Sequence, residues 1–183
     1  MSAAHVAALG GASAWRVFFP YVGPPSTPGV LYCAGDDLSV TWCPCGNTSD
    51  GSLRVAGCAN SAFASGCRMT GSGTASVGED DLVLRSEGLI PHQPCLYFQG
   101  DNRINNGNGI QFGDGLRCAG GTVIRLQVVN ADASGDATST VSISASGGAS
   151  SGDVRRYQYW YRDPASVGAG FNLSDALTVP ICP

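Results

Sequence analysis

Three cysteines and two adjacent aspartates share sixteen positions in "YCAGDDLSVTWCPCGN" (32–47), a density that admits three chemistries. Four thiolates hold zinc, neighbouring thiols exchange disulfides, and aspartate oxygens hold calcium. Zinc is disfavoured by spacing. Cys33, Cys43, Cys45 and Cys58 are separated by nine, one and twelve residues, without the Cys-x-x-Cys clips of zinc ribbons. Calcium suits Asp36, Asp37 and Asp50 better, although Asp/Asn/Gly clusters of this kind are more often turns. No other cofactor is implied. In an extended chain Cys43 and Cys45 point the same way with Cα atoms ~6.5–7 Å apart, too far for a bond to each other. Each then needs a separate partner among Cys33, Cys58, Cys118 and Cys182.

Other reactive groups are few. "GASSG" (148–152) matches the nucleophile elbow around Ser150, but its flanks are not strand and helix and no histidine follows position 92. It reads as a Ser/Gly turn. His5 and His92 cannot build a His-rich metal site, and without lysine general-base and Schiff-base chemistry have few candidates. Glu79, Asp80 and Asp81 are the densest acidic run and the one basis for a carboxylate hydrolase. Because they immediately precede a strand pattern, solvated turn residues are the simpler reading. Asp114, between two glycines in "FGDGLRC" (112–118), also points to a tight turn. No convincing catalytic constellation emerges.

The aromatic residues are more informative. In "VRRYQYWYRD" (154–163) alternation puts Tyr157, Tyr159 and Tyr161 on one face and Arg156, Gln158, Trp160 and Arg162 on the other. With the tyrosines in the core, Trp160 lies among hydrogen-bonding side chains, the make-up of a sugar-stacking platform. The competing reading has Trp160 covered by the leader or a loop.

These groups must be positioned by strands. Period-2 patterns run through 80–89, where Leu82 and Leu84 share a face, and 95–100, where Leu96 aligns with Phe98. They continue in 122–130, aligning Ile124, Leu126 and Val128, in 138–146, pairing Val141 with Ile143, and in 154–163 and 176–181. Gly, Asn, Asp and Ser bound them, and no 3.6-residue stripe competes. The pattern predicts an all-β fold, an antiparallel β-sandwich of roughly eight strands, stapled by disulfides, over residues 32–183. Residues 1–31, with the run "VGPPSTPGV", read as an irregular leader or linker, with "AWRVFF" (14–19) as a short strand.

Composition bounds the function. The 183 residues suit one domain, and Gly contributes 26 of them. All ten basic residues are arginine, set against twelve Asp and two Glu, for a net charge of −4. An acidic chain without basic runs is a poor partner for nucleic acid. No run reaches the ~18 apolar residues of a membrane span. Eight cysteines, at 33, 43, 45, 58, 67, 95, 118 and 182, read as a disulfide framework of an oxidising, extracellular compartment. The first fifteen residues lack a basic n-region, so for an exported protein the signal is expected upstream of Met1, or the chain is expected to be the end of a larger exported one.

The ordered motifs "YCAGD" (32–36), "CPCGN" (43–47), "GCANS" (57–61), "LYFQG" (96–100), "FGDGLRC" (112–118), "YQYWYR" (157–162) and "FNLS" (171–174) carry a resemblance. Together they resemble the Cys-rich β-domains of large predicted secreted bacterial proteins, whose function is uncharacterised. The resemblance covers 32 to about 181. It implies an extracellular β-sandwich without known activity, an accessory, adhesion or surface-sorting module. Members often carry a Cys shortly before Phe-Asn-Leu-Ser, where this chain has "SVGAG". That departure implies a rewired framework in which Cys182 replaces the missing partner and Cys67 pairs with Cys95. The expected function is a non-catalytic extracellular module for surface attachment, recognition or assembly, its partner a glycan or a cell-surface protein. The alternative is a carbohydrate-binding module, assisted by calcium in one version.

Overall fold

The computed structural model describes residues 28–53 and 55–183. Two antiparallel sheets carry the fold. One has five strands in the order β1 (Val30–Tyr32), β12 (Phe171–Pro180), β11 (Val154–Arg162), β4 (Pro94–Gly100) and β9 (Ile124–Asn130). The other orders β10 (Ala137–Thr138), β3 (Val83–Glu87) and β2 (Arg68–Ser72). Two short pairs complete the set: β5 (Asn102–Arg103) with β8 (Ala119–Gly120), and the hairpin β6 (Ile110–Phe112) with β7 (Gly115–Arg117). The expected sandwich is present, built from twelve strands rather than eight among the described residues.

Its core explains why these segments pair. Tyr97, Tyr157, Tyr159 and Tyr161 are fully buried and pack with Met69, Leu82, Leu84, Leu177 and Val179 between the sheets. The alternation of β11 therefore sets its tyrosine face inward, as its sequence pattern requires. Tyr97 and Tyr159 pack tilted against each other, with ring centroids 4.1 Å apart. Burial raises the hydroxyl pKa of Tyr157 to about 12 and keeps all four phenols neutral.

Local chemistry redirects three expected segments. The 138–146 strand ends after Thr138, and a helical turn, α1 (Ile143–Gly147), follows. Ser142 caps it by accepting from Ala145 N at 3.0 Å, and Gly148 closes it at φ 58°. These two short-range contacts outweigh the strand-like alternation. In β9 a bulge opposite Tyr97/Phe98 shifts the phase, so Arg125 and Val128 share the outer face while Leu126 packs inward. The alignment of Ile124, Leu126 and Val128 is thus broken. The leader boundary also moves, because Val30 and Leu31 belong to β1 and pair with Thr178 and Leu177. The "AWRVFF" strand and His5 lie outside the described residues.

Two disulfides join distant segments: Cys33–Cys118 and Cys43–Cys58. Four of the eight cysteines, Cys45, Cys67, Cys95 and Cys182, remain thiols, which corrects the fully bridged framework. Cys67 and Cys95 both reach the same core cluster and stay unbonded. Cys182 instead forms a parallel bridge with Ser76. Disulfides imply an oxidising compartment. No described helix is long and apolar enough to cross a membrane.

Candidate functional site

On the outer face of the five-stranded sheet lies an open groove of about 640 Å³. The sheet floor contributes Leu96 and Phe98 from β4, Trp160 from β11 and Leu173 from β12. Two-residue alternation places Trp160 there because Tyr159 and Tyr161 are taken by the core. The walls come from the β6–β7 hairpin and from β9. Phe112 stands 5.3 Å from Phe171, and Phe171 stands 5.5 Å from Trp160, all ring pairs tilted. Arg117 holds its guanidinium 5.9 Å above the Phe112 ring, and Arg125 lines the β9 side.

The hairpin is shaped for this wall. Gly113 adopts φ 61° in the two-residue turn between Phe112 and Gly115, and a Cβ on it would sit 2.2 Å from the Phe171 ring. Only glycine lets the turn lie against that aromatic face. Asp114, the next residue, is buried and accepts from Ser166 Oγ at 2.6 Å, Ala169 N at 2.7 Å and Gly170 N at 3.2 Å. Cys45 Sγ donates to it at 3.6 Å. Burial pushes the Asp114 carboxyl up, but these donors outweigh it and hold it below the usual carboxylate range. The expected tight turn is present, and its aspartate also clamps the 166–170 loop beside Phe171.

Among the described residues, both arginines of the groove lack an anionic partner. Neither Arg117 nor Arg125 forms a salt bridge or donates a side-chain hydrogen bond among the described residues. No acidic side chain lines the groove. The site is apolar, aromatic and locally cationic within an acidic chain.

Of the four residues expected around a sugar platform, only Trp160 lines the groove. Gln158 is fully buried. Its Oε1 accepts from Cys118 N and Ala119 N at 2.9 and 3.2 Å, and its Nε2 donates to Leu116 O and Ser174 O at 2.8 and 2.7 Å. It is a four-way backbone clamp. Arg156 donates to the carbonyls of Asp101 and Val154. Arg162 is exposed at the end of β11.

The other candidates are not brought together. Asp36 accepts from Leu38 N and Ser39 Oγ, Asp50 from Ser52 N, and Asp37 faces solvent, each in or beside its own turn. No group of three or more metal-ligating side chains occurs among the described residues. Asp81 accepts from Thr74, Asp80 accepts from Ser142, and neither lines the groove or the smaller cavity near Asp114. Glu79 and His92 are exposed. Ser150 N donates to Asp153 Oδ2 in the Ser/Gly turn. A smaller cavity of about 270 Å³ near Asp114 and Asp163 is lined by groups already engaged in loop contacts.

Phe112, Phe171 and the two arginines were not singled out from the sequence. No local pattern marks them as one site, because the hairpin, β9 and β12 meet only in three dimensions. No family model, curated protein or solved structure matches the chain.

Proposed function

We propose that this chain is a non-catalytic extracellular module for surface attachment, recognition or assembly, and that the aromatic groove is its contact surface. The groove carries the reading: large apolar side chains left open together on one face are a usual mark of an interaction site. Two disulfides suit an oxidising exterior. The resemblance to Cys-rich domains of secreted bacterial proteins points the same way. The nucleophile and carboxylate candidates serve as turn and loop contacts, which leaves hydrolysis without a site to argue from.

Trp160 and Phe171 also favour a second reading, carbohydrate binding, with Arg117 and Arg125 as hydroxyl partners. Calcium assistance gains no support from the separated aspartates. Glycan arrays and random-peptide display, run with the native protein and with Trp160→Ala and Phe112→Ala variants, test both readings. Ligands captured by the native protein and lost in both variants are expected. Arrays and selections that stay empty at high protein concentration overturn the groove as a contact surface.

A further inference from the structure

The loop 36–42 reverses the usual arrangement of side chains. Leu38, Val40 and Trp42 are 87 %, 75 % and 78 % exposed, while the polar residues between them face the protein. Ser39 Oγ donates to Ala34 O and Asp36 Oδ1, and Thr41 Oγ1 donates to Gly109 O at 3.2 Å. Asn105 donates to Thr41 Oγ1, and Gln111 Nε2 donates to Trp42 O at 3.1 Å. Disulfides at Cys33 and Cys43 anchor both ends. Three apolar side chains are therefore held outward by a pinned backbone. A rigid loop of this kind loses little conformational entropy on binding.

The loop and the groove match in chemistry. The loop offers three apolar side chains at i, i+2 and i+4 beside the carboxylates of Asp36 and Asp37, and it carries no basic residue. The groove offers an aromatic floor beside the unpaired guanidinium groups of Arg117 and Arg125, and it carries no acidic residue. Within one chain they are kept apart by the β6–β7 hairpin. Gln111 reaches the loop and Phe112 reaches the groove, and neighbouring strand residues point to opposite faces.

We propose that the groove receives the 36–42 loop of a second copy of this chain. Leu38, Val40 and Trp42 fill the apolar floor, and the Asp36–Asp37 pair lies against Arg117 and Arg125. This deepens the reading of the groove as a contact surface and rests on it. Residues 1–27 are a poorer occupant, since that segment contains no acidic residue to meet the arginines. The contact joins two different surfaces, so it builds a two-fold dimer that exchanges both loops, a closed ring or an open chain. Its small area predicts weak association, with Kd on the order of tens of micromolar.

Sedimentation velocity of the full chain from ~10 to ~500 µM tests this across the expected affinity range. Two variants are needed, both altered at exposed positions: Leu38→Asp with Val40→Asp in the loop, and Phe112→Asp with Arg125→Glu in the groove. Native protein is expected to associate as concentration rises. Each variant alone is expected to weaken association at least ~tenfold, as loss of a central contact does. Native protein that stays monomeric, or a variant that associates as the native chain does, overturns the proposal. A monomeric native chain that still captures a glycan or peptide through Trp160 overturns self-assembly while leaving the groove as a contact surface.

Discussion

The backbone N–H of Met69 donates to Oδ1 of Asp175 at 2.6 Å, tying β2 to β12 across the two sheets. The other carboxyl oxygen, Oδ2, is buried without a partner. Burial holds this carboxyl well above the usual aspartate range, against the lowering effect of the Met69 hydrogen bond and Arg68. The folded chain thus keeps a proton that the unfolded chain releases above pH ~4. Stability from this group is full below that pH and falls as pH rises through the folded-state pKa. Asp175→Asn keeps the acceptor and removes the titration. Thermal melts from pH 4 to 8 should show the variant's melting temperature gaining on that of the native protein as pH rises; a constant difference contradicts the assignment.

Gln158 is the least replaceable polar side chain near the groove. Gln158→Leu strands two backbone N–H and two C=O groups that it now satisfies. Buried groups left unpaired cost ~1–3 kcal/mol each, partly relieved by relaxation, so a loss on the order of 3–5 kcal/mol is expected. Urea unfolding measures it, and a loss under ~1 kcal/mol would show that the clamp is dispensable.

Thiol counting checks the covalent framework. Denatured without reductant, the chain should take up four alkyl groups, at Cys45, Cys67, Cys95 and Cys182. In the native state Cys45 and Cys182 are exposed and should react first, with Cys67 and Cys95 protected by the core. Local desolvation and the neighbouring Asp114 carboxylate raise the Cys45 pKa, so its alkylation should accelerate only at alkaline pH. Cutting the 33–118 bridge releases a span of 85 residues, against 15 for 43–58. By chain entropy the losses are about 4.5 and 3 kcal/mol, respectively.

Groove binding should separate from folding. Phe112 is 42 % exposed, so Phe112→Ala is expected to cost no more than about 1–2 kcal/mol of stability. The same variant should lose most binding at the groove. Paired urea melts and binding isotherms distinguish these, and a variant that binds normally removes Phe112 from the contact.

Much of the architecture is legible along the chain. The tyrosines of β11 and the Leu82/Leu84 pair alternate because one face meets the core and the other does not. Strand β12 was only partly legible, from Ala176 onward. Its first half is "FNLSD", whose polar residues are buried on both faces, so no alternation marks it. Asn172 donates to Ala59 O, Ser174 accepts from Tyr159 N, and Asp175 accepts from Met69 N. Each partner is distant in sequence or on another strand.

Sequence alone determined the all-β class, the inward face of β11 and the placing of Trp160 on the opposite face, because period-2 burial is a local property of an extended chain. Tertiary structure decided which cysteines join, that Gln158 is a clamp rather than a ligand contact, and that Trp160 shares its groove with Phe112, Phe171 and two unpaired arginines. These depend on which strands become neighbours and where a bulge shifts the register. Such contacts are set by packing across the whole chain, and no short stretch encodes them.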